Sequence, residues 1–281
     1  MKVGVSMFAT DYAVRPDDLA RAAEDRGFES VWFPEHTHIP ANRKSPWPGG
    51  GDLPKDYWHT HDLFVSLTAA AAVTKTIKVG SGICLVIERD PIVLAKEVAS
   101  VDMLSNGRLI FGIGGGWNAE EMENHGTQFD RRWKVLRERI EAMKEIWTND
   151  AAEYHGEFVK FDPIWSYPKP VQKPHPPILL GTLSEKGLDR VARYCDGWIP
   201  VGIRPKDLPA AIKNLNERAV RVGRKSGDLP VSIFGAPGKE DTLKQFQDAG
   251  TDRVVIGLPS ENKTKVFALL DQYAPLVQKF A

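Results

Sequence analysis

The chain has 281 residues, and its 37 Lys and Arg are matched by 37 Asp and Glu, so the formal net charge is zero. This balance argues against nucleic acid or an anionic membrane as the main partner, because both attract a basic surface. The 42% of apolar residues can fill a large core, and barrel folds of this length form one domain, so we expect a single domain over residues 1–281.

Short apolar segments alternate with longer amphipathic segments along the whole chain. The apolar segments are predicted strands, at 2–8, 29–33, 77–86, 108–114, 177–181, 197–201, 230–235 and 253–258. The other segments are predicted helices, at 15–27, 60–75, 90–107, 131–148, 184–195, 206–224, 239–249 and 262–279. Most strands are continuous apolar runs, typical of a parallel sheet covered on both faces. Eight β-α units predict a (β/α)8 TIM barrel, in preference to an open doubly wound sheet, which also alternates.

Two insertions depart from this alternation, and long loops in compact domains usually serve binding. Residues 37–58 follow strand 2 and are rich in Pro, Gly and Trp, whereas residues 150–176 precede strand 5 and are expected to contain a small hairpin. We expect their aromatic side chains to wall a substrate pocket, with Trp47, Tyr57 and Trp58 in the first insertion and Trp165 and Tyr167 in the second.

The ends and the cysteines indicate a cytoplasmic protein. The amino terminus, MKVGVSMF, resembles a first strand and not a signal peptide, and no apolar run approaches the roughly 18 residues of a spanning helix. Cys84 and Cys195 are isolated, which is typical of buried thiols in a reducing compartment and not of a disulfide or zinc framework. We therefore expect a small-molecule substrate and neither a nucleic-acid nor a membrane partner.

In such barrels the active site lies at the mouth, the end at which the carboxyl termini of the strands meet. Two H-x-H pairs, His36 with His38 and His59 with His61, lie near the predicted mouth, and such a pair would suit a metal-dependent hydrolase. The ends of strands 4 to 8 contain no His, Asp or Lys that would complete a metal shell. We therefore predict no metal site.

Glycine dominates several strand ends, among them Gly80-Ser81-Gly82 and the segment FGIGGGW at 111–117. The second segment is not a dinucleotide-binding turn, because the G-x-G-x-x-G pattern needs glycine where Trp117 stands. Glycines let the backbone approach a flat or phosphorylated ligand closely. The competing explanation is that they relieve crowding at the barrel rim.

Four segments carry a family resemblance, namely those at 89–121, 129–147, 168–181 and 192–200. In order and spacing they resemble the bacterial luciferase-like monooxygenase superfamily over nearly the whole chain. Within it, VWFPEHTHIP at 31–40 looks more like the branch that uses coenzyme F420, a deazaflavin, than the FMN-dependent branch. That branch includes the F420-dependent sugar-phosphate dehydrogenase and methylene-tetrahydromethanopterin reductase.

The resemblance implies a homodimeric barrel with the deazaflavin, or alternatively FMN, in its mouth. It implies a cofactor-proximal acid at Glu35, a histidine beside the reacting ring at His36, and a non-prolyl cis peptide at Gly82-Ile83 that supports the ring. It also implies a loop near the ring formed by Gly114, Gly115, Gly116 and Trp117, and a loop at the phosphate-bearing tail formed by Gly181 and Thr182. From the residues alone, His36 is the best acid-base candidate, and Glu35 could instead form a salt bridge at the rim.

Two positions differ from the F420 branch. Trp117 stands where some relatives have a glutamate that handles a proton, and Pro40 stands where the sugar-phosphate dehydrogenase has a tryptophan. The sugar-phosphate reaction is therefore not expected, and Trp117 either packs near the ring and pocket or caps a helix. The leading interpretation is an F420-dependent oxidoreductase. The alternatives are an FMN-dependent monooxygenase, a catalytically silent cofactor-binding protein and a metal-dependent hydrolase.

Overall fold

Ten strands and nine helices follow one another along the chain, and the computed structural model describes all 281 residues. The strands are β1 (Lys2–Ser6), β2 (Ser30–Phe33), β3 (Lys78–Ser81), β4 (Leu109–Gly114), β5 (Ala151–His155), β6 (Lys160–Trp165), β7 (Ile178–Gly181), β8 (Gly197–Trp198), β9 (Ser232–Ala236) and β10 (Arg253–Gly257). The helices are α1 (Pro16–Asp25), α2 (Leu63–Val73), α3 (Pro91–Leu104), α4 (Ala119–Asn124), α5 (Arg132–Thr148), α6 (Glu185–Tyr194), α7 (Leu208–Arg221), α8 (Glu240–Asp248) and α9 (Lys263–Phe280). None of these helices combines the length and the apolar character needed to cross a membrane.

Eight parallel strands form one sheet in the order β8-β7-β4-β3-β2-β1-β10-β9. The two edges of this sheet also meet, because parallel bridges join Trp198 to Val231 and Val201 to Phe234. These bridges close the sheet into a barrel with the helices outside. The predicted (β/α)8 barrel is therefore confirmed.

Apolar side chains fill the barrel interior. They come from β2, β4, β7 and β10 and from the residue that follows β8, and they are Trp32, Ile110, Leu179, Ile199 and Val255. The indole Nε1 of Trp32 donates to Oγ of Ser30 at 2.8 Å, so its polar atom is satisfied inside the barrel. A larger core lies between the sheet and the helices. Because both faces of the sheet are covered, β2 and β4 are buried at every residue, which explains their continuous apolar sequence.

Helix α3 shows how local sequence sets the boundaries of the outer helices. The side chain of Asp90 accepts two backbone N–H groups of the first turn, and Pro91 occupies the first helical position. The helix ends before Asn106 and Gly107, whose φ angles are 55° and 77°. The segment predicted at 90–107 therefore contains a helix, α3, which begins at Pro91 and ends at Leu104.

Strand β3 is shorter than the predicted segment 77–86. It ends at Ser81, and the chain continues through a cis peptide bond between Gly82 and Ile83 into a single 3-10 turn at Val86–Glu88. The backbone N–H of Leu85 donates to the carboxylate of Glu35 at 2.6 Å and not to a neighbouring strand. Between Ser81 and Leu85 the chain keeps isolated hydrogen bonds to the sheet, from the N–H of Gly82 to the carbonyl of Phe33 and from the N–H of Cys84 to that of Gly112, both at 2.8 Å.

The hairpin expected within 150–176 is present as β5 and β6, but it does not face the mouth. It connects the carboxyl end of α5 to the start of β7, and helix-to-strand connections lie at the end of a barrel opposite its mouth. Trp165 pairs with Ala151 at the base of the hairpin and is 84% exposed. The prediction that Trp165 walls the substrate pocket is therefore wrong for this chain.

Candidate active site

Ile83 lies between the ends of three strands at the mouth. A Cβ at Gly114 would lie 2.6 Å from Cδ1 of Ile83, and a Cβ at Gly181 would lie 3.4 Å from its Cγ2. The ring of Phe234 occupies the space beside Gly82, and the Gly82-Ile83 peptide bond is cis, as the family resemblance implies. The structure thus brings together four residues that the sequence predicts for a cofactor site, with an apolar floor beneath them.

The glycines after β4 make room for protein side chains. A Cβ at Gly115 would lie 2.8 Å from the ring of Trp133. Gly116 has a φ of 65°, a conformation that favours glycine, and a Cβ there would lie 3.1 Å from the terminal methyl of Met122. Together with the contact at Gly114, these distances support the explanation that the glycines relieve crowding at the rim.

The imidazole of His36 follows β2 and is held by a buried carboxylate. Its Nδ1 lies 2.8 Å from Oε2 and 3.0 Å from Oε1 of Glu121. Oε2 of Glu121 also accepts from Nδ2 of Asn118 at 3.3 Å. Nε2 of His36 has no hydrogen-bonding partner in the protein. Glu121 was not predicted from the sequence, since it lies in the short helix α4 among several other acidic residues.

Aromatic rings surround His36. The Tyr57 ring centroid lies 5.0 Å from that of His36, and the Trp117 indole packs edge-on at 5.9 Å. Nε1 of Trp47 donates to the hydroxyl of Tyr57 at 3.0 Å. The guanidinium of Arg43 lies 5.4 Å from the Trp117 ring centroid. The long loop after β2 therefore places Trp47 and Tyr57 beside Trp117 at the mouth.

Glu35 is buried and fully engaged with other protein groups. Oε1 accepts from Nε of Arg89 at 2.8 Å and also from its Nη2, and Oε2 accepts from the backbone N–H of Leu85 at 2.6 Å. Arg89 is held in turn by Asp62 and Glu97 at 2.8 and 3.0 Å. This network ties the end of β2 to the segment after β3, which carries Ile83.

A second buried carboxyl, that of Glu88, lies in the same region and carries no charge near neutral pH. Burial and the nearby carboxylates of Glu121 and Glu35 raise the pKa of Glu88 to about 9. Its Oε2 has no hydrogen-bonding partner in the protein, and the nearest basic group is Nε2 of His125 at 3.9 Å. Burial lowers the pKa of His125, so this contact is not an ion pair at neutral pH.

Several predicted residues lie apart from the His36 cluster. Trp58 is 50% exposed and packs against His59, which pairs with Asp11 at 2.9 Å. His38 contacts Asn124, with 2.8 Å between Nε2 and Nδ2. The two H-x-H pairs do not converge, and no group of three or more His, Cys, Asp or Glu side chains has the arrangement of a metal site.

The loop after β7 begins at Gly181, which lies beside Ile83, and ends at the amino terminus of α6. The carbonyl of Thr182 accepts from Nε1 of Trp198 at 2.8 Å, and Ser184 caps α6 by accepting from the N–H of Gly187 at 3.1 Å. Helix amino termini favour anionic groups. An apolar floor next to such a terminus suits a flat cofactor with a phosphate-bearing tail.

Sequence comparison connects the chain with one protein family and with several relatives. Residues 10–266 match the family model described as luciferase-like monooxygenase. An uncharacterized protein of Mycobacterium tuberculosis is 41% identical over 278 residues, 98% of each chain. An FMNH2-dependent dimethylsulfone monooxygenase of Pseudomonas putida is 30% identical over 166 residues, 58% of this chain and 46% of the relative. The 5,10-methylenetetrahydromethanopterin reductase of Methanopyrus kandleri is 24% identical over 249 residues, 82% of this chain and 64% of the relative.

Solved structures share the fold over the full length. The monooxygenase RslO1 from Streptomyces bottropensis has a TM-score of 0.79 at 19% identity, with 100% of both chains covered. An F420-dependent secondary alcohol dehydrogenase in complex with an F420-acetone adduct gives the same TM-score, identity and coverage. At this identity the likeness shows the fold alone. Because the family model matches most of the sequence, the chain belongs to the luciferase-like monooxygenase family.

Proposed function

We propose that the protein is a coenzyme F420-dependent oxidoreductase that transfers a hydride between the deazaflavin and an organic substrate. The observation that carries this proposal is His36, which lies at the barrel mouth with Nδ1 held by buried Glu121 and Nε2 without a protein partner. Hydride transfer requires placement, exclusion of water and a group for the accompanying proton. The segment at 31–40, which carries His36, resembles the F420 branch and supports the choice of this cofactor.

The predicted cofactor-binding residues at the mouth each have a role in this proposal. The bound deazaflavin supplies the centre that gives or takes the hydride. The Gly82-Ile83 segment supports the ring from the barrel side, and the backbone of Gly114, Gly115 and Gly116 borders it. Gly181 and Thr182, next to the amino terminus of α6, hold the phosphate-bearing tail.

The substrate is enclosed by the aromatic cluster around His36. Trp117, Tyr57 and Trp47 form a wall that excludes water and favours a substrate with an apolar part. Trp117 has no ionisable group, and burial raises the pKa of the Tyr57 hydroxyl, so His36 is the residue of this cluster that handles the proton. Glu35 acts through its ion pair with Arg89, which holds the segment that carries Ile83 in place.

An FMN-dependent monooxygenase is the second candidate function. It is favoured by the Pseudomonas putida relative, which is 30% identical and is named for its dependence on FMNH2. The floor of Ile83 and Phe234 and the amino terminus of α6 suit the ring and phosphate of FMN as well.

Separate titrations of the purified protein with F420 and with FMN distinguish the two candidates. F420 fluorescence and flavin absorbance report binding directly, without a known substrate. We expect saturable micromolar binding of F420 and weaker binding of FMN. Micromolar binding of FMN without binding of F420 would overturn the proposal in favour of the second candidate.

We also propose that the protein is a homodimer that pairs through the outer faces of α2 and α3. Four large apolar side chains on these adjacent helices are exposed to between 47% and 66%, namely Val65, Val93, Met103 and Leu104. We infer that these side chains contribute to an interface, because a second copy of the same face would remove them from water symmetrically. Sedimentation velocity is expected to give twice the chain mass of 31.3 kDa. A single species of the chain mass would contradict the proposal.

A further inference from the structure

Glu121 lies behind His36, and the roles proposed so far leave it unexplained. Its side chain is 1% exposed, and both of its oxygens lie within 3.0 Å of Nδ1 of His36. No Lys or Arg nitrogen lies within 4.0 Å of it, so His36 is its one ionic partner. A carboxylate buried with a single imidazole has few reasons to be there other than that imidazole.

The contacts of Glu121 indicate where the proton lies. Asn118 donates Nδ2–H to Oε2, and Nδ1 of His36 is placed to donate to both oxygens. An ionised carboxylate accepts both donors, whereas a protonated one would lose acceptor capacity. Nδ1 is therefore the nitrogen that bears a proton, and in the neutral form of the ring Nε2 carries the lone pair.

Further contacts fix the orientation of the ring. The backbone carbonyl of His36 accepts from Oγ1 of Thr60 at 2.8 Å, and the rings of Tyr57 and Trp117 pack against the imidazole. A ring that is fixed at Nδ1 and packed on its sides presents Nε2 as its free atom.

We propose that Glu121 is a positioning residue that holds His36 in the Nδ1–H tautomer and stabilises the imidazolium formed when Nε2 takes up a proton. This inference rests on the proposed function for its catalytic meaning. In the direction of substrate oxidation, Nε2 would take up the proton released from the substrate O–H or N–H bond, while the hydride of the adjacent C–H bond would go to a bound deazaflavin. The carboxylate of Glu121 accepts the Nδ1–H in both states of the ring, and its charge offsets that of the imidazolium.

The charged and titratable groups around Glu121 are consistent with this role. Glu88 and His125 interact electrostatically with Glu121. Glu35, Arg89 and Arg139 act on Glu88 in turn, and His38 acts on His125. Glu88 is neutral up to about pH 9, and Glu35 is paired with Arg89. His36 is therefore the titratable group in direct contact with the carboxylate of Glu121, and the same charge helps to keep Glu88 protonated.

Nuclear magnetic resonance of the cofactor-free protein tests the tautomer directly. Long-range proton–nitrogen correlations are recorded on histidine-labelled protein at a pH where the ring is neutral, and His36→Asn assigns the signals. The wild-type ring is expected to carry its proton on Nδ1, and Glu121→Gln is expected to keep it there through its carbonyl oxygen. In Glu121→Ala the Nε2–H form is expected to predominate. A wild-type ring protonated on Nε2, or an unchanged tautomer in Glu121→Ala, would overturn the proposal.

Kinetics of the holoenzyme separate positioning from simple stability. Because acid-base groups contribute about 10²- to 10⁴-fold, we expect Glu121→Gln to lower kcat about tenfold and Glu121→Ala about 100-fold, with KM nearly unchanged. The pH profile of kcat should also move in Glu121→Gln. The control is Glu123→Gln, at an exposed position on the same helix, which should match wild type. An unchanged kcat in Glu121→Ala would overturn the role. Failure to turn over F420 would refute the proposed function while leaving the tautomer result intact.

Discussion

Replacing Glu88 by Gln should make the protein more resistant to rising pH. Glu88 is buried, its Oε2 has no hydrogen-bonding partner, and its pKa is raised from 4.5 to about 9. Between these values the folded protein keeps a proton that the unfolded chain has released, so the free energy of unfolding falls as pH rises. Glutamine does not ionise, so the free energy of unfolding of the variant does not fall in this way as pH rises.

The size of the effect follows from the raised pKa. The free energy of unfolding of the wild type should fall, relative to Glu88→Gln, by about 1.4 kcal/mol per pH unit between the two pKa values. From pH 5 to pH 8 the difference should therefore change by about 4 kcal/mol in favour of the variant. The amide of the glutamine adds a cost of about 1–3 kcal/mol if it finds no partner, but this offset does not depend on pH.

Urea denaturation at pH 5, 6.5 and 8 measures this difference, and Glu123→Gln serves as an exposed control that should follow wild type at every pH. The change with pH in the difference between the two free energies of unfolding is diagnostic, whereas the size of that difference at a single pH is not. A constant difference between wild type and Glu88→Gln across this range would refute the burial of a neutral carboxyl at this position.

Three further outcomes are expected. His36→Asn should lower turnover about 10²- to 10⁴-fold while F420 still binds, measured by steady-state kinetics and fluorescence titration, and wild-type turnover would contradict the role of His36. Glu35→Ala should lower the free energy of unfolding by about 1–3 kcal/mol, because the buried N–H of Leu85 loses its acceptor while Arg89 keeps Asp62 and Glu97. No measurable loss in urea denaturation would contradict this. Val65→Lys combined with Leu104→Lys should yield monomers in sedimentation velocity, and a stable dimer would place the interface elsewhere.

The barrel could be predicted because its signals are local. Continuous apolar runs, a Pro at the first position of α1 and α3 and a positive-φ pair at Asn106 and Gly107 each act within a few residues. The predicted end of the third strand at residue 86 was wrong: beyond Ser81 the chain makes only isolated hydrogen bonds to the sheet, at Gly82 and Cys84, and Leu85 then bonds to a distant group, the carboxylate of Glu35. No local pattern records such a contact.

The candidate site could be predicted only in part, for the same reason. His36 and the Gly82-Ile83 segment lie at strand ends, and strand ends can be read from the sequence. The partner of His36, Glu121, lies 85 positions further along the chain, and helix α4, which carries it, was not predicted. Trp165 was misassigned because its insertion follows a helix, and this topology puts it at the opposite end of the barrel from the mouth.

A crystal structure of the protein with bound F420 tests the central claim most directly. The account predicts the deazaflavin ring against Ile83 in the barrel mouth, with Nε2 of His36 facing the reacting edge of the ring and its tail at the loop of Gly181 and Thr182. A ring bound elsewhere, or a mouth that accepts FMN and excludes F420 under the same conditions, would contradict it.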